Sequence, residues 1–189
     1  MADSPIDVCF PALAEPAALP RPVSIEREVL ALFDLYRVQI FRYTLSLGLT
    51  AHDGEDVVQE VFVSLFRHLA AGRSQESIRG WLFRVAHNLA LKRRMSNLRH
   101  GNTFESNDGE MAACLDPNPD PEQQAAFRQR QVRLRAVVQA LPEQDAYCLR
   151  LRAEGLKYRE IANVLGMSLG AISLSLTRSL ARLRRANVE

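Results

Sequence analysis

The chain has 189 residues, 47% of them hydrophobic and 24% charged, a composition that argues against a disordered or fibrous protein and is ordinary for a folded globular one. The formal net charge of +2 points to no particular class of partner. No stretch approaches the roughly 18 apolar residues of a membrane span, and no signal peptide is visible, so we expect a cytoplasmic protein with no membrane insertion. The three cysteines have no metal-ligand spacing and fit reduced thiols.

The charge is unevenly distributed along the chain. Six acidic residues and no Lys or Arg lie from Glu105 to Glu122. After Glu122, twelve Lys and Arg face five Asp and Glu, which leaves this C-terminal part with a net charge of +7. A second basic run covers residues 92–94. Such imbalances attract phosphates, so the charge pattern favours a nucleic-acid partner.

The N-terminal half reads as a tail followed by three helices. Five prolines within residues 1–24 predict a flexible tail. Apolar residues in three- and four-residue steps predict a first helix from about Ile25. A cap region at Thr50–Asp53 begins the second helix, and the third begins at Ile78. Trp81, among the apolar residues of the third helix, is expected in the core rather than as a platform for stacking bases.

The C-terminal half begins after a linker. Residues 100–121 are rich in Gly, Asn, Ser, Asp and Pro, which favour turns and extended chain. Helical patterns resume over residues 122–141 and again over about 142–153, and no β alternation is visible. The predicted fold class is all-α, with two small helical domains, residues 25–99 and 122–189, joined by an acidic, Pro-rich linker.

The strongest local pattern is a helix-turn-helix near the C-terminus. Residues 158–165 predict a short helix, Gly166 permits the tight turn, and Ser168 is a good N-cap for the next helix. The second helix of such a motif lies in the DNA major groove. The alternative is a pair of bundle helices with a short turn. The buried stripe of the second helix is predicted at Leu169, Ile172, Leu176, Leu180 and Leu183.

These segments resemble a known family. Leu141-Pro142, Gly155–Tyr158 and Glu160–Ala162 look like domain four of the sigma-70 family of RNA polymerase sigma factors. Independently, Glu55–Phe62 and Trp81–Asn88 look like domain two of the same family. The order of the two blocks and the linker between them resemble the extracytoplasmic-function group, the smallest members.

The resemblance implies a transcription initiation factor with no covalent chemistry, no cofactor and no metal. It would bind core RNA polymerase through the β′ coiled coil and the β flap, melt the minus-10 region of promoter DNA and contact the minus-35 region. An anti-sigma factor is a further partner that the resemblance allows. The linker would thread the polymerase towards the RNA exit path; composition alone fits an inert spacer nearly as well.

The resemblance also implies three sets of contact residues. The polymerase-binding set is Asp53, Glu55, Asp56, Gln59 and Glu60. The minus-10 set is Arg73, Ser74, Gln75, Arg84, Asn88, Lys92 and Arg93. The minus-35 set is Tyr158, Arg159, Ser168, Gly170, Ala171, Ser173, Leu174, Thr177, Arg178 and Arg182.

The chain departs from the family pattern in two places. Ser173 and Ser175 stand on the second helix of the motif where many members have Lys and Arg, which would weaken minus-35 recognition. Leu174, exposed in the predicted register, could contact a thymine methyl or a protein partner. Lys92 stands where many members have Asp, which adds positive charge towards DNA.

Other classes of protein remain open from the sequence. A helix-turn-helix regulator with an unrelated N-terminal module would bind duplex operators alone, but it has no need of the block at residues 56–60. An enzyme has little support, because there is no Gly-rich phosphate loop and the four histidines lack evident nucleophile partners. A protein-binding module that has lost promoter recognition is kept open by Ser173 and Ser175.

Overall fold

The computed structural model describes residues 22–73, 77–99 and 121–188. These ranges contain seven helices and no strand, which confirms the predicted all-α fold. In chain order the helices are α1 (Pro22–Ser46), α2 (Ala51–Ala70), α3 (Ile78–Arg99), α4 (Pro121–Gln139), α5 (Glu143–Ala153), α6 (Tyr158–Leu165) and α7 (Leu169–Val188). Most of the predicted tail and nearly all of the predicted linker lie outside the described residues.

Helix ends follow the local sequence signals closely. α1 begins at Pro22, three residues before the predicted start, and a proline costs nothing in a first turn because the backbone donor it lacks has no partner there. Thr50 is the N-cap of α2, and its hydroxyl accepts a 3.1 Å hydrogen bond from the Asp53 amide, as predicted. α5 begins at Glu143, with Pro142 in an extended conformation just before it.

The N-terminal helices α1–α3 pack around a shared apolar core. Their contact residues recur in three- and four-residue steps, so each helix contributes one buried stripe. The fully buried side chains are Ile40 and Tyr43 from α1, Val61 and Leu65 from α2, and Leu82 and Phe83 from α3. Trp81, predicted in the core, is half-buried at its edge, and its ring lies 4.6 Å from that of His68.

The C-terminal helices α4–α7 form the helix-turn-helix and its support. Gly166 ends α6 with φ +66°, a left-handed conformation that glycine adopts freely, as the turn requires. Ser168 accepts a 3.2 Å hydrogen bond from the Ala171 amide and caps α7, as predicted. The core of this half includes the fully buried side chains of Leu151, Leu156, Ile161, Ile172 and Leu176.

The bend between α6 and α7 is 106°, within the range of about 90–120° that helix-turn-helix motifs show. No single described helix is long and apolar enough to cross a membrane; the bent α6–α7 pair satisfies length and composition only when the two are taken together.

The predicted register of α7 is wrong at three positions. Leu169 and Leu180, assigned to the buried stripe, are 47% and 41% exposed. Ser175, assigned to the outward face, is buried, as is Ser179 one turn later. α7 packs against both α4 and α5, so its buried face is centred between those neighbours, and serines in that face let α5 approach closely. The apolar pattern alone cannot identify such a face, because small polar residues line part of it.

Candidate nucleic-acid and partner-binding surfaces

α3 presents an exposed stripe of polar side chains. Arg84, Asn88 and Lys92 recur every four residues and are all exposed, so they share one face of the helix. Arg73 is also exposed, just after α2, whereas Ser74 and Gln75 of the predicted minus-10 set lie outside the described residues. The stripe combines two cations with an amide, which suits contacts with phosphates and base edges.

Arg93 lies on a different face of α3 from this stripe. Its guanidinium is 3.2 Å from Asp53 and 2.6 Å from Asp56, both on α2. Asn97 adds a 2.8 Å hydrogen bond to Asp53. Arg93 therefore ties α3 to the beginning of α2, and the structure does not place it with Arg84, Asn88 and Lys92.

The predicted acidic face of α2 divides into two parts. Asp53 lies in the first turn of the helix, its carboxylate pairs with Arg93 of α3, and its side chain is only 15% exposed. Asp56 also pairs with α3 and is 38% exposed. Glu55, Gln59 and Glu60 point away from these contacts and are exposed.

An apolar groove adjoins the outward part of α2. Glu55 and Gln59 line it from α2 together with Val58, and α1 contributes Phe33, Arg37, Val38 and Phe41. α1 also exposes Leu30 and Leu35, each more than half accessible. An exposed apolar strip beside acidic and amide groups is a typical surface for a protein partner.

The helix-turn-helix presents its candidate residues on the surface. Tyr158, Arg159, Ser168, Gly170, Ser173, Leu174, Thr177, Arg178 and Arg182 are all exposed, and Ala171 is half-buried. The Thr177 hydroxyl donates a 2.8 Å hydrogen bond to the Ser173 carbonyl of the same helix. Arg178 is 57% exposed and 3.4 Å from the nearly buried carboxylate of Asp145, which holds its guanidinium beside α5. Of the two serines noted in the sequence, only Ser173 faces solvent.

The N-terminal and C-terminal helices contact each other directly, mainly through α3 and α6 and through α1 and α5. Arg42 of α1 pairs with Glu154 at 2.9 Å, and Arg79 of α3 donates a hydrogen bond to the Glu154 carbonyl. Arg94 pairs with Glu143 at 3.0 Å. No local pattern in the sequence predicts these contacts.

His87 lies in the middle of this contact and is buried. A 2.8 Å hydrogen bond joins its Nδ1 to the Tyr43 hydroxyl, and the Tyr147 ring of α5 meets it edge-on at 5.0 Å. Burial lowers the pKa of His87 from its ordinary 6.5, and the Glu143 carboxylate opposes this. Burial and the hydrogen bond to Glu143 raise the pKa of Tyr147 to about 12.

Two family regions match the chain. Residues 32–100 match sigma-70 region 2, and residues 131–183 match sigma-70 region 4. Over 93% of its own length, this chain is 30% identical to the extracytoplasmic-function (ECF) sigma factor SigE of Mycolicibacterium smegmatis. Over 80% of its own length, it is 29% identical to the sigma factor YlaC of Bacillus subtilis. The match covers 65% of SigE, less than two thirds of that protein, and 89% of YlaC.

The decisive relative is the ECF sigma factor SigL of Mycobacterium tuberculosis, which is 30% identical over 82% of this chain and 85% of its own length. The chain belongs to the ECF group of sigma-70 family RNA polymerase sigma factors.

Two solved structures share the fold of this chain. CnrH, solved with the cytosolic domain of CnrY, gives a TM-score of 0.57 at 23% identity and covers 87% of this chain and 90% of its own. RpoE of Bartonella quintana, solved with the anti-sigma factor NepR, gives a TM-score of 0.58 at 16% identity. The match covers 85% of this chain and 96% of RpoE. At these identities the likeness concerns the fold alone.

Sequence reasoning missed the residues of this sigma factor at which the N-terminal and C-terminal helices meet. They include the carboxylates of Glu143 and Glu154 and the backbone carbonyl of Asn163, which contact arginines 49, 112 and 79 positions away in the chain. No periodicity or short motif reports a pairing across such a separation. Within residues 22–73, 77–99 and 121–188, no three His, Cys, Asp or Glu side chains are grouped as a metal ion would need.

Proposed function

We propose that this chain binds core RNA polymerase and directs it to specific promoters, melting the minus-10 region through α3 and gripping the minus-35 region through α6 and α7. The observation that carries the proposal is the presence of both matched regions, residues 32–100 and 131–183, each with an exposed polar face of the appropriate chemistry. The chain acts by binding alone and carries out no covalent chemistry.

The polymerase-binding surface is the outward part of α2 together with the adjacent groove. Gln59 and Glu60 are exposed there, with Glu55 one turn earlier. The groove supplies apolar area from Phe33 and Val38, and the acidic rim supplies complementarity to a basic partner surface. Asp53 and Asp56 support this surface from behind, since their carboxylates are paired with Arg93.

The minus-10 surface is the stripe of α3. Asn88 is an exposed amide flanked by two cations, Arg84 and Lys92, one turn away on either side. An amide can form two hydrogen bonds with an unpaired base edge, and the flanking cations can hold the phosphates of a melted strand. Arg73, Ser74, Gln75 and Arg93 complete the proposed set.

The minus-35 surface is the first half of α7 with the beginning of α6. Ser173 and Leu174 face outward near the start of α7, where a recognition helix meets base edges. Arg178 and Arg182 lie further along the same helix and are suited to phosphates. Ser173 stands where many family members have a cation, and Leu174 beside it is apolar. Base contact here is therefore short-range and partly apolar, so recognition depends strongly on polymerase holding the domain in place.

We propose the domain limits as residues 25–99 and 122–189, with residues 100–121 as the linker. An anti-sigma factor is a natural further partner, because the exposed groove on α1 and α2 offers apolar area for an inhibitor to cover. RpoE of Bartonella quintana, which shares the fold, was solved with the anti-sigma factor NepR. The polymerase contacts proposed here are the β′ coiled coil for α2 and the β flap for the C-terminal helices.

One experiment separates a sigma factor from an ordinary regulator. Promoter fragments are mixed with the protein alone, with core polymerase alone and with both, and binding is followed by fluorescence anisotropy. We expect a specific complex only with both proteins, because Ser173 and Leu174, where the recognition helix meets base edges, offer only short-range contacts. Tight specific binding by the protein alone, unchanged by polymerase, would identify a regulator and overturn the proposal.

A further inference from the structure

We infer that Met95, near the end of α3, reads duplex DNA at the upstream edge of the melted minus-10 region, by packing against the methyl group of a pyrimidine base in the major groove. The inference rests on the proposed function and deepens it, since it adds a specificity-determining residue to the α3 surface. Met95 belongs to none of the three sets of contact residues that the sequence indicates.

The polar stripe of α3 continues past Lys92 to the end of the helix. With 3.6 residues per turn, Met95 and Arg99 fall within the same arc of about 80° as Arg84, Asn88 and Lys92. All of these side chains are exposed, that of Met95 by 56%. Lys92 lies three residues before Met95 and Arg99 four residues after it, so an exposed apolar side chain stands between two cations on one face of the helix.

The charge of α3 favours nucleic acid as the partner of this face. The helix contains six Lys and Arg and no Asp or Glu. Arg93 and Arg94 turn towards carboxylates of α2 and α5, whereas Lys92 and Arg99 are exposed on the stripe. Cations on an exposed face attract phosphates. Lys92 and Arg99, each about one turn from Met95, are placed to hold the sugar-phosphate backbone, which leaves Met95 facing the bases.

The position of Met95 along the helix places it on duplex rather than melted DNA. It lies seven residues beyond Asn88, or about 10 Å at 1.5 Å per residue, which equals about three base steps of 3.4 Å. A strand melted at Asn88 must rejoin a duplex at one end of this helix. The chain continues from the Met95 end to the C-terminal half, which is proposed to hold duplex DNA at minus-35, so we place the duplex at this end.

The chemistry of a methionine suits an apolar contact in the major groove. Thymine presents its C5-methyl group there, and apolar side chains discriminate thymine by contact with that group. The methionine side chain is unbranched and polarizable, so it adapts to the shape of the surface that it meets. Unlike the amide of Asn88, it has no hydrogen-bond donor for a base edge. The contact should therefore depend on the methyl group itself and not on the base-pairing groups.

Promoters that differ by one methyl group test this contact. A promoter obtained by run-off transcription is rebuilt with thymine, uracil, cytosine or 5-methylcytosine at each base pair within one helical turn upstream of the melted region, on either strand. The affinity of the holoenzyme for each form is measured by competition. At one position the unaltered protein should bind the methylated base about fourfold more tightly than its unmethylated counterpart, the effect expected for burying one carbon.

Variants of α3 assign the preference to one side chain. Met95→Gln keeps the length of the side chain but makes its end polar, so it should abolish the preference, whereas Met95→Leu should retain it. Leu98→Ala is the matched control, because Leu98 is 57% exposed on the same turn but lies outside the arc of the stripe. It should keep the full preference. Persistence of the preference in Met95→Gln, or its loss in Leu98→Ala, would overturn the inference.

A premelted template separates this contact from a wedge that opens the duplex. An apolar side chain can also enter the base stack and unstack it. Full recovery of initiation by Met95→Gln on a promoter already unpaired at minus-10, with no methyl preference in the unaltered protein, would identify a wedge and overturn the methyl contact. Specific initiation without any methyl preference likewise overturns this inference alone. If the unaltered holoenzyme directs no specific initiation from any fragment, the proposed function itself fails.

Discussion

The side chains of Tyr43 and His87, on α1 and α3, are joined by a 2.8 Å hydrogen bond between the tyrosine hydroxyl and Nδ1 of the imidazole. The ring of Tyr147, from α5, meets the same imidazole edge-on. His87, on α3, thus contacts both α1 and α5. Its protonation state is coupled to the packing of both halves.

Stability should fall as the pH drops through the range where His87 takes up a proton. Burial lowers the pKa of His87 in the folded protein from 6.5, so its contribution is fully present above pH 6.5 and is lost as the pH falls below that value. The slope is at most about 1.4 kcal/mol per pH unit for one proton. Other groups near the imidazole are Tyr43, Tyr147, Glu143, Arg94 and Arg150.

Urea unfolding measured between pH 7.5 and 5.5 checks this. His87→Gln should flatten the pH dependence of the free energy of unfolding over this range. If the free energy of unfolding of the His87→Gln variant changed with pH as steeply as that of the unaltered protein, another group would cause the pH dependence.

Asn88→Ala should lower promoter-specific initiation by about tenfold, since an amide pairing with a base edge is worth about 1–3 kcal/mol. Binding to core polymerase should be unchanged, because Asn88 lies on the exposed stripe of α3 and not on α2. Initiation is measured by abortive transcription from one promoter. Gln144→Ala, an exposed change on α5, is the matched control, and equal loss in both variants would remove Asn88 from its assigned role.

Gln59→Lys with Glu60→Lys should weaken binding to core polymerase at least tenfold and leave the free energy of unfolding unaltered, because both side chains are exposed. Asp56→Lys should also lower the free energy of unfolding, by about 1 kcal/mol, since it leaves Arg93 facing a like charge.

Affinity is measured by competition with a labelled sigma factor and stability by urea titration. Gln129→Lys with Glu26→Lys makes the same chemical change at exposed positions elsewhere. If that control weakened polymerase binding as much, the effect would be one of net charge rather than of this face of α2.

Arg178→Ala should reduce the salt dependence of promoter binding by the holoenzyme. A lost phosphate contact lowers the slope of log affinity against log salt by about one. Binding is measured at several salt concentrations, and Arg128→Ala on the exposed face of α4 is the control. An unchanged slope would mean that Arg178 serves only its ion pair with Asp145.

Lysine substitutions at the two serines of α7 should have opposite effects. Ser173 is exposed, so Ser173→Lys should leave stability unchanged and strengthen binding to minus-35 DNA. Ser175 is 1% exposed, so Ser175→Lys should destabilise the C-terminal helices by several kcal/mol, because it buries an unpaired charge. Thermal unfolding measures the stability of each variant, and binding of the holoenzyme to promoter DNA measures minus-35 recognition. Equal stability of the two variants would contradict the register of α7.

Much of this architecture could be predicted from the sequence, because helix periodicity and capping are local. Thr50, Gly166 and Ser168 occupy the positions that their side chains or backbone freedom predict. The register of α7 could not be predicted in the same way, since Leu169 and Leu180 match the apolar pattern but lie outside the face that α4 and α5 cover.

The sequence predicts which helices carry the candidate surfaces, but it does not predict which way each side chain points. Arg93, which counts with the basic run of α3 in the sequence, turns towards α2 because two carboxylates lie there. Arg84 keeps its place in the stripe but donates to Asn163, 79 positions later. Pairings at that separation depend on how the two halves pack, which no local pattern encodes.

Run-off transcription with purified core polymerase on a library of genomic fragments tests the proposed function most directly. The account predicts transcripts with discrete start sites that appear only when the protein is added to core polymerase, and that share sequence elements upstream near minus-10 and minus-35. If the protein binds core polymerase or DNA but yields no start sites beyond those of core polymerase alone, it does not direct promoter recognition, and the central claim is contradicted.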